Sequence, residues 1–446
     1  MKRIITIASL LFIIGACAED SSLPNPTGKG TVRGINAVKG SPDISFLIEE
    51  RLIESLPYKS ISGSTRWDDF QYVFNFDTQI LGESSLRRIA SITQKVDPSR
   101  DYTFVASGSL TSPTVSVWET DERTFDDTDT VFEVQLGHAA ESLGAVDVYL
   151  AADGVVPVVG EERGTLNFGE ILDAADFESA EFVLTITAAG DPATVLYQSD
   201  SVIYGERGAF IVSLLDGDET DLAPYTVRRF NKNGGGISAL PDVRFPPTVR
   251  FIQASIDLAP ADVYDDEMLT SQILSDHRFG DVSPEIEVAI GTTDLTYTPV
   301  GSTGSTLFEG SLPTSAGSKF NFIVLGDDGA QTAASYVPLR RSVSTSARLQ
   351  FVHAAFNHDL LDLYIVTPGT PIDDDVSPSQ NLAFGFRSGT ILLDAGTREF
   401  YVTTRGEKTI VAGPFELTVA LGDVVEAIVL DTVDPATAEI RVIPAP

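Results

Sequence analysis

At 446 residues and 43% hydrophobic content, the chain is long enough for several domains and too apolar to be a disordered acidic tail. Lys plus Arg total 30 against 64 Asp plus Glu, and the net charge of -34 runs along the whole length, which argues against nucleic acid and against electrostatic docking on anionic lipid. A single cysteine excludes an intrachain disulfide framework, and four histidines with two methionines leave little for a histidine-rich metal centre.

Lys2-Arg3 and the apolar run Ile4 to Ile14 have the form of a secretory leader, too short to persist as a membrane-spanning helix. The run ends in Ile14-Gly15-Ala16-Cys17, which resembles the lipobox of a bacterial lipoprotein signal. That resemblance implies cleavage after residue 16, a lipid on the Cys17 thiol and attachment to a membrane through it. Ala18 rather than Asp after the cysteine implies, by similarity to the sorting rule of enteric-type bacteria, the outer membrane, facing either the periplasm or the outside. Residues 17–29 (rich in Ser, Pro, Asn, Gly and Thr) form a flexible tether.

Four copies of one phrase follow. Val249-Arg250-Phe251-Ile252-Gln253-Ala254 is followed eight residues after Ala254 by Asp262-Val263-Tyr264, and Leu349 to Ala354 is followed at the same spacing by Asp362-Leu363-Tyr364. Val134 to Ala139 leads to Asp147-Val148-Tyr149, and a weaker first copy, Val32 to Ala37, leads to Asp43-Ile44-Ser45, two residues tighter. Alternation of apolar Val32, Val134, Val249 and Leu349 with polar Arg33, Gln135, Arg250 and Gln350 predicts an opening strand with one solvated side. Later copies also share Phe168-Gly169, Phe279-Gly280 and Phe384-Gly385. About seven short strands per hundred residues, punctuated by Gly, Asp and Pro, predict an all-β chain of tandem immunoglobulin-like antiparallel β-sandwich repeats. The expected repeats span 30–127, 128–240, 246–343 and 345–446. Asn231 to Pro247, with its triglycine, is the longest expected linker and the main hinge of an articulated rod.

The strand with its His/Gln-Ala step (His138-Ala139, Gln253-Ala254, His353-Ala354) and the later Asp-Val-Tyr or Asp-Leu-Tyr resembles the bacterial domain of unknown function 4397. Repeats three and four are most similar to it. The resemblance implies an envelope or secreted sandwich protein and supplies no activity.

Recurrence of Asp147, Asp262 and Asp362 at one place per repeat points to a structural task, such as fastening a turn to the strand. His138 and His353 sit at equivalent places in separate repeats, so they do not converge on one ion; His358 adds no third ligand. Acidic clusters around Asp216 and Asp218, and around Asp373 and Asp375, are expected to be solvated loops, with weak calcium binding as the alternative and no other cofactor. Phe70, Tyr72, Phe74 and Phe76 alternate as a core face, while Trp67 and Trp118 are the candidates for stacking a sugar ring. The nucleophile elbow, phosphate loop and zinc helix are all missing from the sequence. The expectation is a non-catalytic envelope lipoprotein binding protein or glycan; the alternatives are a carbohydrate-active enzyme using paired carboxylates and a calcium-stiffened adhesin.

Overall fold

The computed structural model describes residues 25–232, 236–327, 329–373 and 375–444. The leader, Cys17, the first part of the tether, Gly234, Gly235 and Asp374 lie outside them. The described residues form thirty-five strands in eight sheets and no helix, as the tandem-sandwich expectation requires.

The third repeat shows the plan. Its opening strand, Thr248–Gln253, lies at the centre of a sheet, antiparallel to Ile286–Glu287 and parallel to Lys319–Leu325, which pairs on its far side with Thr332–Tyr336. The facing sheet runs Gln272–His277, Ala261–Tyr264, Gly291–Pro299, Phe308–Thr314. The same order recurs in all four repeats, each with one parallel pair: Lys29–Lys39 with Arg100–Ser109, Val131–His138 with Ala209–Asp216, and Ala347–His353 with Val424–Asp431. In the immunoglobulin order the first strand is at an edge; here it is central, and that placement decides what happens to both of its faces.

One face of each opening strand fills its own sandwich, as Val249 and Phe251 do against Leu295 and Tyr297. The other face was expected to meet water. It does not: Arg33, Gln135, Arg250 and Gln350 are all buried. The reason is that the sheets holding the opening strands pack against each other in pairs. Ile35, Ala37, Val105 and Trp118 of repeat one share a cluster with Ala139, Ile211, Leu215 and Phe230 of repeat two. Ile252, Ala254, Ile323 and Leu325 of repeat three do the same with Val352, Ala354, Ile428 and Leu430 of repeat four. Gly137 stands where the other copies carry Ile or Val because Trp118 crosses it: a Cβ there would come within 2.6 Å of the indole.

Within a pair the sandwiches lie side by side in the same direction. At the end where the opening strands start, Lys232 Nζ of repeat two reaches Asp101 of repeat one at 3.0 Å. At the opposite end, Lys59 of repeat one pairs with Asp218 of repeat two at 3.0 Å and also with Asp221. The two pairs are then stacked end on end. Ser344 N–H donates to the Gly40 carbonyl at 3.1 Å, Ser342 N–H to Glu219 Oε2 at 3.2 Å, and Lys319 Nζ to the Glu219 carbonyl at 3.1 Å. The first pair is the lower tier, with the N-terminal segment at its free end, and the second pair is the upper tier.

This arrangement replaces the hinged rod. Tyr225–Asn231 pairs antiparallel with Ile237–Leu240, Phe230 opposite Ile237, so the segment expected to be a linker holds a strand of repeat two. The remaining connection is fastened: buried Asp242 takes the Arg244 guanidinium at 2.6 Å, and the Phe245 carbonyl accepts from Gly317 N–H at 2.7 Å.

Candidate functional site

The repeated polar residues are used by the fold. Asp262 accepts from Asp276 N–H at 3.0 Å through one oxygen and from Gly301 N–H at 2.8 Å through the other. Asp362 does the same with Asn381 and Gly406, both at 2.8 Å, and Asp147 with Thr165 and with Gly190 at 2.6 Å. Each carboxylate thus pins the neighbouring strand and the hairpin glycine on its other side, where φ is positive (75°, 72° and 68° at Gly190, Gly301 and Gly406). Asp362→Ala is expected to cost about 3 kcal/mol, since two charge-assisted bonds go at once. Denaturant titration of the chain checks this, with Asp362→Asn losing less because one acceptor oxygen remains.

In repeat one the counterpart is not Asp43. Ser45 lies opposite Asp77 on the next strand, as Asp147 lies opposite Thr187, so Ser45 holds the aspartate position and the spacing of eight from Ala37 is kept. The carboxylate on the facing position, Asp77, is taken instead by Arg88 at 2.9 Å.

The histidine position is also structural. Ala140 N–H donates to His138 Nδ1 at 3.2 Å and Ala355 N–H to His353 Nδ1 at 3.3 Å; Gln253 Oε1 and Asn36 Oδ1 accept equivalently from Ser255 and Val38, both at 3.0 Å. Every repeat therefore puts a buried acceptor at this step to hold the backbone two residues on. The Phe-Gly element closes over it: Gly169, Gly280 and Gly385 N–H each donate to the carbonyl of that same residue at 2.8 Å. The first-repeat copy, missed in the sequence, is Tyr58-Lys59. Lys59 N–H donates to the Asn36 carbonyl at 2.9 Å, and Lys59 takes the positive φ (66°) that glycine takes elsewhere.

Lys59 also settles what the first acidic cluster does. Asp218 is bonded to Lys59 and to Thr220, and Asp216 to the Ser142 hydroxyl, while the Tyr58 hydroxyl donates to the Asp216 carbonyl at 2.7 Å. Burial pushes the Asp218 carboxyl up, but Lys59 and the Thr220 bonds outweigh it and hold it below the usual range. The cluster expected to be a solvated loop, with weak calcium binding as the alternative, is an ion-paired contact between repeats. Asp373 and Asp375 are exposed, in a loop held by Lys408 Nζ on the Ile372 and Asp375 carbonyls at 2.6 and 2.9 Å. Among the described residues no three His, Cys, Asp or Glu side chains gather as a metal site.

The tryptophans do not form one platform. Trp118 is 2% exposed, donating to the Gly169 carbonyl at 3.0 Å inside the repeat one–two contact, so no sugar ring reaches it. Trp67 is half-buried on the repeat-one core, edge-on to Tyr72 with Arg51 over its ring at 5.6 Å. Phe74 and Phe76 are core, as the alternation predicts.

A candidate place for a ligand lies at the junction of the tiers. A groove of about 380 Å³ lies between Pro42, Asp43, Leu81 and Leu86 of repeat one, the connector Arg341 to Ser346, and Arg348 and Leu392 of repeat four. Arg341 donates to the Ser41 carbonyl and lies over the Tyr58 ring at 5.7 Å, and its buried Nε has no partner. Arg348 donates to the Arg341 carbonyl at 2.8 Å. Neither guanidinium is ion-paired among the described residues. Burial lowers the affinity of both for their proton, Arg341 adding to the effect on Arg348, while Asp43 and Asp218 oppose it without closing an ion pair. Sequence reasoning missed this groove because its walls come from segments some 300 residues apart.

Residues 247–364 match the family described as Domain of unknown function (DUF4397), a span from the opening strand of repeat three to the Asp-Leu-Tyr of repeat four. No curated protein matches the chain. Among solved structures it aligns with the Bacillus anthracis TIE protein at 10% identity, over 91% of this chain and 69% of that one, with a TM-score of 0.15 that carries no argument.

Proposed function

We propose that the protein is a non-catalytic cell-envelope lipoprotein, held by a lipid on Cys17, that binds an acidic group of a protein or glycan in the groove between its tiers. The observation that supports this is the pair of unpaired guanidiniums, Arg341 and Arg348, lining a groove in a chain whose net charge is -34. Guanidiniums partly stripped of water gain from a carboxylate that presents two oxygens. Leu81, Leu86 and Leu392 on the same walls add apolar contact for the rest of the ligand. The non-catalytic part rests on how the recurring Asp and His side chains are occupied: each holds backbone, which leaves no free acid–base pair among them.

The test is retention of envelope proteins, peptidoglycan or whole cells by immobilised residues 18–446, with Arg348→Gln beside it. Retention is expected to fall roughly tenfold in the variant, the effect of one charge-assisted pair, with the melting temperature unchanged. Equal retention by both chains would move the site elsewhere, and turnover of a polysaccharide would revive the enzyme reading. The anchor is tested separately: Cys17→Ser is expected to shift the protein from the membrane fraction to the soluble one.

A further inference from the structure

Among the described residues, a loop of repeat two exposes four valines close together. Val155, Val156, Val158 and Val159 are 53%, 74%, 50% and 65% exposed, within five consecutive positions. Glycines with positive φ, Gly154 (78°) and Gly160 (90°), bracket them, so the valines form the tip of a projecting turn. Asp153, Glu161 and Glu162 stand at its base. A run of this kind on a water-facing loop is unusual in a chain otherwise so acidic, and it has no partner within the molecule.

Its position says what it meets. The loop follows Val146–Ala151, which begins beside the His138 end of the opening strand and runs back to the end where that strand starts. That is the end of the lower tier marked by Lys232 and Asp101. The N-terminal segment leaves from the same end: Thr27 N–H and Oγ1 donate to the Asp69 carboxylate at 2.8 and 2.6 Å. From Cys17 to Thr27 is ten residues, a reach of at most about 35 Å. The upper tier is stacked on the opposite end, so the end with the loop is uncovered.

We infer that this end of the lower tier rests on the bilayer and that the Val155–Val159 turn inserts its side chains at the headgroup–acyl boundary. This rests on the lipid-anchor reading for its orientation. Insertion is hydrophobic: valine side chains leave water, while Asp153, Glu161 and Glu162 stay at headgroup level. A chain of this charge is repelled by anionic lipid, so the surface it fits is zwitterionic and the contact is not weakened by salt.

The experiment is flotation of residues 18–446, which include every described residue and lack the lipidated cysteine, with phosphatidylcholine vesicles. Wild type is expected to float with the vesicles at 0.1 and 0.5 M NaCl alike. The double variant Val155→Asp, Val158→Asp is expected to float at least tenfold less, with an unchanged melting temperature because both side chains are solvent-exposed. Three results would overturn the inference: no flotation of wild type, equal flotation of the variant, or binding that salt abolishes. A fourth, loss of one specific envelope protein by the variant without any vesicle binding, would assign the loop to a protein partner instead. Neither Cys17 nor the groove enters this assay, so its failure leaves the anchor and the ligand groove to their own tests.

Discussion

Lys232→Met is expected to destabilise the lower tier by about 3–5 kcal/mol, because it removes the cation between two buried carboxylates. Lys232 Nζ lies 3.0 Å from Asp101 Oδ2 and 2.9 Å from Glu133 Oε1, and all three side chains are 3–7% exposed. Arg33 remains on Asp101 in the variant, so the carboxylate left without a counter-charge is Glu133. Adding Glu133→Gln to Lys232→Met is therefore expected to restore a large part of the loss, since the second change removes the stranded charge. Differential scanning calorimetry of the four members of this cycle gives the coupling directly. Transitions of the two tiers must be separated first, because a multidomain chain need not melt in one step. If Lys232→Met alone costs under 1 kcal/mol, water reaches the cluster and the two repeats are not locked by it.

The same cluster explains why much of the architecture was hidden in the sequence. The strands follow from local pattern, and outside repeat one the repeated phrase falls where the spacing puts it. What a local pattern does not carry is the identity of the surface facing a strand. Arg33 and Gln135 alternate with valine and leucine just as residues on a solvated face do, yet they lie beneath another repeat. Arg33 is compatible with that burial because it finds a partner there in Asp101. Trp118 misled for the opposite reason: its large apolar surface fits a sugar as well as a neighbouring glycine, and only the arrangement of repeats selects Gly137.

Divergence in repeat one had a plainer cause. Asp43 gave a false match because Ser45 holds the aspartate position at the kept spacing of eight, and Tyr58-Lys59 matched nothing because a lysine had taken the glycine conformation. Lys59 gains there what glycine cannot offer, the bonds to Asp218 and Asp221. The groove between the tiers and the valine turn belong to the same class of hidden feature. Each is defined by where the tiers leave surface uncovered, which depends on contacts between residues hundreds of positions apart.

Acid is expected to loosen the upper tier through His353, and His353→Gln is expected to cancel that part of the loss. Burial pushes the His353 imidazole down to about 4, opposed by the His358 backbone and by Asp431 and Asp359, while the His358 ring adds a smaller push in the same direction as burial. The unfolded chain takes up this proton near pH 6.5 and the folded chain only near 4, so the unfolded state binds more protons between those values. The stability contributed by the neutral ring is thus complete above pH 6.5 and is lost as pH falls to 4, about 3 kcal/mol over the window. Geometry gives the same sign: Nδ1 accepts from Ala355 N–H at 3.3 Å, and a protonated ring would set two donors against each other. Gln253 shows that glutamine is an acceptable substitute, since its Oε1 holds Ser255 N–H at 3.0 Å at the equivalent step. His353→Gln should therefore match wild type at pH 7.5 and exceed it at pH 4.5 in the urea midpoint of the upper tier. His277 in the same tier is also pushed down by burial, so acid sensitivity will be reduced rather than abolished. Parallel midpoint-against-pH curves for the two chains would mean that the ring is hydrated, and the neutral-acceptor role of this position in repeat four would fall with it.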